Sequence, residues 1–333
     1  MDLTTEYLGL KLDSPLMPGA SPLADSLDMV RRLEDAGASA IVMRSIFEEQ
    51  ITRETTGNIY AIETPAESFA EAISYFPKAS EFSLGPDEYL DQLRCITEAV
   101  AIPVIGSLNG ITARGWLEYA MRIQEAGADA LELNVYYLPT DAAEASEAVE
   151  RRTIDIVRMV KGALRIPVAV KLSPFFSALP HFLRQLECAG ADGIILFNRF
   201  YQPDIDAENL EAEPRLHLSD PSELLLRLRW LAIVAAGVNV PLAISGGVHS
   251  GLDAIKSVMA GASAVQVVSA LLKKGPDHLR TLRLEMERWM QEHEYESLKQ
   301  MRGNMSLAHC PDPNAFSRAN YMRILQSWRV GLS

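Results

Sequence analysis

The sequence of 333 residues has few cysteines, no signal-peptide pattern and no long apolar run. Its three cysteines, Cys95, Cys188 and Cys310, are far apart and form no CxxC pair. Neither a zinc ribbon nor a self-contained iron–sulfur site is therefore expected, and the sparse, odd count favours a reducing compartment. No stretch approaches the roughly 20 apolar residues of a membrane span, and residues 1–6 lack the start of a signal peptide. These absences predict a cytoplasmic protein without a membrane partner.

Basic residues are also fewer than acidic ones: the chain has 31 Lys and Arg against 44 Asp and Glu, which gives a net charge of −13. No Lys/Arg run offsets this balance, so nucleic acid is not an expected partner. The six histidines show no HxxxH or HExxH spacing, and we expect no metal site. Hydrophobic residues at 48% and charged residues at 23% are typical of a globular protein.

A short phrase, Ala-Gly-Ala followed by Ser or Asp, occurs four times, at residues 36–39, 126–129, 189–192 and 260–263. Each copy follows an amphipathic run and precedes an apolar, β-branched run. Glycine suits the left-handed position that ends a helix, and a continuous apolar run suits a strand buried on both faces. The phrase therefore predicts four helix-to-strand joints.

Reading outward from these joints gives eight strands and the helices between them. The predicted strands are 16–20, 40–44, 103–107, 130–136, 167–172, 193–198, 241–245 and 264–269. Predicted helices include 26–36, 116–126, 147–164, 179–189, 222–236 and 252–260. This alternation is typical of an α/β (β/α)8 TIM barrel. A doubly wound open sheet is the alternative, but it more often carries GxGxxG after an early strand, and the sequence has none.

We expect the barrel to form a single domain over residues 1–333 with three additions. Insertions follow strands 2 and 6, at 45–98 (a long aromatic-rich connection and a helix) and at 199–221. Both leave the carboxyl ends of strands, where barrel enzymes keep their active sites, so both are predicted to cover the site rather than to decorate the surface. The tail, 279–333, is predicted to be a helical extension.

Glycines and small residues after strands 7 and 8 predict a phosphate site. Ser245 ends strand 7 and is followed by Gly246 and Gly247, while Val268 and Ser269 end strand 8. In barrels these two loops often hold a phosphate with backbone N–H groups and a helix N-terminus, and adjacent glycines allow close approach of the anion. A plain tight turn is the alternative interpretation.

Polar side chains end several other apolar strands. Lys171 closes strand 5, and a lysine there must direct its charge toward the mouth of the barrel or a partner. Asn109, Asn134 and Asn198 follow or end strands 3, 4 and 6. Amides offer both donors and an acceptor, which suits a planar heterocycle. Together with the phosphate loop, these four residues predict one site at the barrel mouth.

These segments resemble the class 1 dihydroorotate dehydrogenases, which are FMN-dependent barrels, and their dihydropyrimidine dehydrogenase relatives. The resemblance covers roughly residues 3–275. It is carried in order by residues 8–16 and 19–21, 103–110, 132–134, 167–174, 244–254 and 261–271.

The resemblance implies an FMN site. Gly246, Gly247 and Ser269 would hold the phosphate, and Lys171 would stabilise negative charge on the reduced flavin. The full set of implied cofactor contacts is Ala20, Ser21, Arg44, Asn109, Asn134, Lys171, Ser245, Gly246, Gly247, Val268 and Ser269. The implied substrate contacts are Arg44, Asn134, Asn198 and Arg199.

The chain departs from the family pattern on the substrate side. Tyr137 stands where the family has a Cys or Ser base, Arg44 where it usually has Lys, and Arg199 where it has a small hydroxyl residue. A phenol has a pKa about 10 against about 8.5 for a thiol, so Tyr137 would need stronger activation, which Arg44 and Arg199 could supply. Both arginines could also bind a carboxylate. Tyr137 is thus a candidate base, with aromatic packing as the alternative.

The resemblance implies an FMN-dependent oxidoreductase that acts on a CH–CH bond of a small cyclic amide or acid, such as dihydroorotate or a related dihydropyrimidine. One alternative is a flavoprotein subunit or diverged member with another substrate. Another is a non-redox phosphate-binding lyase or isomerase that uses Lys171 for Schiff-base chemistry. A separate electron-acceptor protein and a homodimer are further expectations.

Overall fold

The computed structural model describes residues 1–48, 85–110, 112–213, 216–316 and 318–327. Eight parallel strands form a nearly closed barrel, which confirms the predicted fold class. They are β1 (Leu16–Pro18), β2 (Ile41–Val42), β3 (Val104–Asn109), β4 (Ala130–Asn134), β5 (Val168–Leu172), β6 (Gly193–Leu196), β7 (Leu242–Ser245) and β8 (Ala262–Val267). From β2 onward each strand pairs with the next in chain order, and β8 pairs with β1. A further short strand, Ile46–Phe47, pairs with the carboxyl end of β3.

The remaining seam, between β1 and β2, is bridged by Ser39 just before β2. Its backbone N–H donates to the Leu16 carbonyl at 3.0 Å, and its hydroxyl lies 2.8 Å from the same oxygen and 2.6 Å from the Ser14 carbonyl. The buried Ser39 therefore donates hydrogen bonds to the β1-side carbonyl groups that would pair with β2 if that strand were longer.

Helices surround the barrel. They are α1 (Leu27–Asp35), α2 (Pro86–Ala99), α3 (Ala113–Glu125), α4 (Ser146–Ala163), α5 (Leu179–Cys188), α6 (Leu224–Val234), α7 (Gly251–Ala260), α8 (Ser269–Lys274), α9 (His278–Glu292), α10 (Leu298–Met301) and α11 (Arg318–Ser327). Among the described residues, none of these helices has the length and apolar content needed to cross a bilayer.

The four Ala-Gly-Ala phrases do end helices as predicted. Gly37, Gly127 and Gly190 follow the C-caps of α1, α3 and α5 with φ of +95°, +97° and +101°. Gly261 is itself the C-cap of α7, with φ of +126°. These positive φ values are strained for residues with a side chain, which is why glycine occupies every joint.

Side chains along the strands alternate between two cores, as the period of two in a strand requires. Outward-facing residues such as Leu131, Val170 and Ile194 pack in the large cluster between sheet and helices. Inward-facing residues of the lowest layer form a second, smaller cluster that includes Ala130 and Ala169. The next inward positions along the same strands are polar, so the barrel interior changes from apolar to polar on the way to its mouth.

An antiparallel hairpin, Thr5–Tyr7 with Leu10–Leu12, closes the amino-terminal end of the barrel. Tyr7 and Leu8 belong to the inner cluster and are almost fully buried. A Cβ on Gly193 would lie 2.6 Å from Leu8 Cδ2, so glycine is required where the hairpin meets β6. The hairpin therefore fills the space that the small alanines of the lowest layer leave.

The last helix of the ring is α9, which lies against both α7 and α1. Arg280 donates to the carbonyl of Asp35 at 2.8 Å, and Gly251 approaches the α9 backbone so closely that a Cβ would clash with Glu285. The predicted tail from residue 279 thus begins inside the barrel helix ring. Beyond Glu292 the chain continues through α10 to α11.

The insertion predicted at 45–98 lies mostly outside the described residues, which resume at Gly85. Its described end, α2, buries Leu93 and Ile96 against the barrel. The second insertion, predicted at 199–221, contains a short antiparallel pair of strands, Asp204–Asp206 and Glu211–Glu213. Five strands end two residues before their predicted limits, so Ala20, Arg44 and Asn198 lie just after their strands, whereas Asn109, Asn134 and Lys171 belong to β3, β4 and β5.

Candidate functional site

Lys171 lies inside the barrel and is held by two side chains from other strands. Its Nζ donates to Glu132 Oε1 at 3.1 Å and to Gln266 Oε1 at 2.9 Å. Gln266 Nε2 donates in turn to Glu132 Oε2 at 2.6 Å, which closes a ring of three hydrogen bonds. Glu132, Lys171 and Gln266 project from β4, β5 and β8, so this polar triad joins strands across the barrel interior.

The triad follows from the strand period. Glu132, Lys171 and Gln266 each stand two residues beyond an alanine of the lowest inward layer, at Ala130, Ala169 and Ala264. Side-chain exposure is 5% for Lys171 and 1% for Glu132. A buried charge of this kind is tolerated because it is paired and hydrogen-bonded.

Above the triad, two of the predicted amides form a pair. Asn198 Nδ2 donates to Asn134 Oδ1 at 2.7 Å, and Asn134 Nδ2 lies 3.4 Å from Ser45 Oγ. Ser45 continues to Ser107 through a hydroxyl contact of 2.7 Å. Asn109, at the end of β3, is also buried at the mouth. The structure therefore brings the carboxyl ends of β2, β3, β4 and β6 together around a line of hydrogen-bonding groups.

The predicted phosphate loop forms the turn after β7. Gly246 and Gly247 both have positive φ, +93° and +81°. The Gly247 N–H donates to Ser219 Oγ at 3.3 Å, and this long contact leaves it available to an anion. Successive backbone N–H groups in a turn of this kind can form an anion-binding concavity.

The N-terminus of α7 is capped by side chains of the protein itself. Asp253 accepts from the backbone N–H groups of His249 and Ser250, and Glu285 accepts from Gly251. These carboxylates already satisfy the first turn of the helix. On the β7 side of the site, the donors that remain for an anion are therefore the glycine N–H groups rather than the N-terminus of α7.

Ser219, from the end of the second insertion, completes the loop and was missed in the sequence. Its hydroxyl donates to Ser269 Oγ at 2.8 Å, and its carbonyl accepts from His249 Nε2 at 2.8 Å and Lys273 Nζ at 3.5 Å. Burial lowers the pKa of His249, so its ring favours the neutral form. Lys273 adds positive charge beside Gly247 and Ser269.

A buried cation, Arg227, lies directly behind the glycine turn. Its Nε donates to the carbonyl of Ser245, and its Nη1 donates to the carbonyl of Glu223 at 2.8 Å. A Cβ on Gly246 would lie 2.8 Å from the guanidinium, so the backbone passes close over it. Burial lowers the pKa of Arg227, but arginine remains charged at any physiological pH. It therefore contributes positive potential to the loop.

The first turn after β1 borders the turn after β8. A Cβ on Gly19 would lie 2.9 Å from Val268 Cγ2, and Ser21 Oγ donates to the Gly19 carbonyl at 2.9 Å. Ala20 and Ser21 are thus adjacent to Val268, on the β1 side of the phosphate loop.

Both predicted substrate arginines carry acidic partners. Arg44 pairs with Asp25 at 2.8 Å, and Arg199 pairs with Glu223 at 2.6 Å. Burial raises the pKa of Asp25, while Arg44 opposes that shift. The Nε of Arg199 is buried with no hydrogen-bond partner among the described residues, so it retains a donor for a ligand.

Tyr137 lies in the loop after β4 and is 41% exposed. Its hydroxyl donates to Glu144 Oε2 at 2.7 Å, and the Arg152 guanidinium lies 4.3 Å from the ring centroid. Arg152 also pairs with Glu144. The arginine in contact with the phenol is therefore Arg152, whereas Arg44 and Arg199 are engaged by Asp25 and Glu223.

The described residues fit FMN at both ends of that molecule. The glycine turn, with Ser269, Ser219 and nearby Lys273, suits a phosphate dianion. Two of the three N–H groups of Lys171 are donated to Glu132 and Gln266. The third is available to a ring above it. No group of three or more His, Cys, Asp or Glu residues within the described ranges is arranged to hold a metal ion.

Together, the fold and this site define a class of protein: a (β/α)8 barrel with a glycine turn after β7 and a buried lysine paired with a glutamate at its centre. The family model described as dihydroorotate dehydrogenase matches residues 2–290. The chain belongs to the dihydroorotate dehydrogenase family, as its motifs imply. It is accordingly an FMN-dependent oxidoreductase of CH–CH donors.

Curated relatives are similar over nearly their whole length. Three of them are named dihydroorotate dehydrogenase B (NAD(+)), catalytic subunit. The Thermoplasma volcanium protein is 27% identical over 312 residues, and the Geobacter sp. (strain M21) protein is 27% identical over 319 residues. The alignments cover 91% and 92% of this chain and 98% and 99% of the relatives. The Geobacillus kaustophilus protein of the same name is 28% identical over 273 residues, which are 80% of this chain and 84% of that protein.

Proposed function

We propose that the protein oxidises dihydroorotate or a closely related dihydropyrimidine, with FMN as the acceptor of the substrate hydride. The family match over residues 2–290 carries this proposal. The buried Lys171 and the glycine turn after β7 support it, since they offer matching groups for the ring and the phosphate of one ligand.

Bound FMN supplies a hydride acceptor at its N5 position. In the proposal, Gly246, Gly247 and Ser269 hold the phosphate, and Ser219 and Lys273 assist them. Lys171 stabilises negative charge that develops on the ring during reduction, which is an electrostatic contribution. Ala20, Ser21, Arg44, Asn109, Ser245 and Val268 complete the proposed cofactor contacts.

The amide pair is proposed to orient the substrate. Asn134 and Asn198 are already joined by a 2.7 Å hydrogen bond, which fixes the direction of both side chains. Each retains further donors or acceptors for the N–H and C=O groups of a cyclic amide. Arg199, whose buried Nε has no partner among the described residues, is placed to bind a carboxylate on that ring, and Arg44 is the second candidate.

Removal of the substrate C–H proton is assigned to Tyr137. A phenol is protonated at neutral pH, so its oxygen can take a carbon-bound proton only if its own proton leaves. Glu144, 2.7 Å from the hydroxyl, is the acceptor for that proton. The substrate proton then stays on Tyr137, and the phenol proton passes to Glu144, whose side chain is 11% exposed and can release it to solvent.

A separate polypeptide is proposed to carry the electrons away. The relatives are named catalytic subunits, which implies at least one further subunit in those proteins. The cysteines of this chain are far apart in sequence, and an iron–sulfur relay would have to lie on a partner. A homodimer is a second proposal, supported by the family resemblance alone.

The lyase or isomerase alternative conflicts with the environment of Lys171. A Schiff base requires a neutral amine, whereas Glu132 at 3.1 Å stabilises the ammonium. Borohydride treatment with carbonyl compounds should therefore trap no adduct on Lys171.

The experiment that tests the function is anaerobic mixing of the FMN-loaded protein with dihydroorotate, dihydrouracil and dihydrothymine. Dihydroorotate should bleach the flavin. Arg199→Leu should weaken the binding of dihydroorotate selectively, because it is the only one of the three compounds with a carboxylate. Bleaching by dihydrouracil alone would indicate a diverged substrate. Absence of bleaching by all three would contradict the proposal.

A further inference from the structure

Glu132 and Gln266 hold Lys171 in a closed hydrogen-bonded ring deep in the barrel. Two of the three ammonium N–H groups are donated to them, at 3.1 Å and 2.9 Å. The 2.6 Å bond between Gln266 and Glu132 prevents either acceptor from turning away. The third ammonium N–H has a fixed direction as a result, because two bonds on a tetrahedral nitrogen determine the remaining positions.

The charged state of Lys171 depends on Glu132. An ammonium that is 5% exposed loses most of its hydration, and an unpaired buried charge tends to be neutralised. Within the described ranges, the other titratable groups that face this site are two phenols, Tyr7 from the hairpin and Tyr89 from α2. Burial, and less strongly the charge of Glu132, raise the pKa of both, so neither phenol provides a negative charge. Glu132 is therefore the counter-ion of Lys171 among the described residues.

We propose that Glu132 and Gln266 are positioning residues for the flavin: Glu132 keeps Lys171 charged, and Gln266 fixes the direction of its third N–H toward the cofactor ring. This proposal rests on the proposed function for the presence of FMN. Neither residue contacts the substrate in the proposal, and both act through Lys171.

The first part of the experiment needs no flavin. Urea unfolding is measured for the wild type, Lys171→Met, Glu132→Gln and the double variant. We expect Glu132→Gln to lower the urea midpoint and the double variant to recover part of that loss, since it no longer buries an unpaired charge. Additive losses would contradict the coupling of the two residues, whatever the function of the protein.

The second part measures the midpoint potential of bound FMN from pH 6 to pH 9. Lys171→Met should shift the oxidised-to-reduced equilibrium about tenfold toward the oxidised form, or roughly 30 mV for two electrons. Glu132→Gln should lower the potential toward that of Lys171→Met, because a buried lysine without its counter-ion tends to be neutral. Glu132→Asp should retain most of the wild-type potential.

Two further variants complete the test. Gln266→Met, which changes no charge, should lower the potential by a smaller amount at every pH. Asp192→Asn removes the carboxylate of a Lys161–Asp192 pair, 2.5 Å apart, just before β6 and away from the mouth, and should leave the potential unchanged. The proposal would be overturned if Glu132→Gln had the wild-type midpoint potential at all pH values. It would also be overturned if the potential of Glu132→Gln were higher than that of the wild type. If the wild type binds no FMN, the proposed function fails, while the unfolding result still reports on the triad.

Discussion

In the proposed reaction, Tyr137 is the residue on which the substrate-side chemistry depends most. If it accepts the C–H proton while Glu144 takes the phenol proton, Tyr137→Phe removes the oxygen that does so. We expect flavin reduction to slow by about 10²–10⁴-fold, the usual worth of general acid–base catalysis, with unchanged flavin content. Anaerobic stopped-flow absorbance measures both quantities.

The matched control is Tyr201→Phe, because Tyr201 is a second exposed tyrosine stacked under an arginine, Arg199, in another loop. It should reduce at close to the native rate. A Tyr137→Phe variant that also reduces at the native rate would show that the ring only packs, and Tyr137→Cys would then test whether the family's usual residue improves the reaction with dihydroorotate.

Ser219 and Ser269 are expected to contribute to FMN affinity through the phosphate. Each offers a hydroxyl beside the Gly247 N–H, and a hydrogen bond to a charged group is worth about 1.5–3 kcal/mol. Ser219→Ala and Ser269→Ala should each weaken FMN binding by roughly tenfold or more, measured by fluorescence titration. Ser222→Ala, three residues from Ser219 and exposed, is the control and should bind FMN normally. If all three variants bound FMN with equal affinity, neither the Ser219 nor the Ser269 hydroxyl would contribute to the phosphate site.

At the scale of elements, the glycines of the Ala-Gly-Ala joints determine the backbone path from each helix to the strand that follows it. Gly127 has φ of +97°, and a Cβ there would meet only Thr97 Oγ1 at 3.5 Å, so space is not limiting. Gly127→Ala should therefore lower the free energy of unfolding by about 1 kcal/mol through backbone strain alone. Urea unfolding with unchanged FMN binding would verify this.

Gly162 provides the opposite case. It lies in the last turn of α4 without a positive φ, and a Cβ added there would have no described atom within 4 Å. Gly162→Ala should stabilise the protein by roughly 0.5–1 kcal/mol, because alanine has the higher helix propensity. If both substitutions changed stability in the same direction, backbone conformation would not be the cause.

The sequence predicts the elements well because their patterns are local. All eight strands and the six predicted helices occur where the Ala-Gly-Ala joints and the apolar runs indicate. The predicted strand ends were less accurate: Asn198, predicted to end strand 6, lies two residues beyond the end of β6. Long-range partners were not predictable: nothing local connects Gln266 or Ser219 to Lys171 and Gly247. Glu132 could have been found, because it alternates with Ala130 and Asn134 on the inward face of β4.

At the scale of the whole molecule, α11 is the most exposed of the helices that the structure describes. Tyr321, Met322, Ile324 and Leu325 of α11 are each about 60% exposed. A chain that ends at Phe316 should therefore unfold at nearly the native temperature. A chain that ends at Glu292 should unfold at a clearly lower temperature, because it also loses the buried Leu298 and Met301. Calorimetry of both truncations checks this, and equal losses would mean that α11 packs in a way the exposure does not show.

Taken as a whole molecule, this barrel is a dihydroorotate dehydrogenase-type catalyst that binds FMN and, in the proposed reaction, removes two hydrogens from a CH–CH bond of dihydroorotate. An anaerobic single turnover tests this most directly, with FMN-loaded protein mixed with excess dihydroorotate and the product quantified after quenching. We expect one orotate formed for each flavin reduced, with Lys171→Met slower. A protein that binds no FMN, or whose bound FMN stays oxidised while no orotate appears, would contradict it.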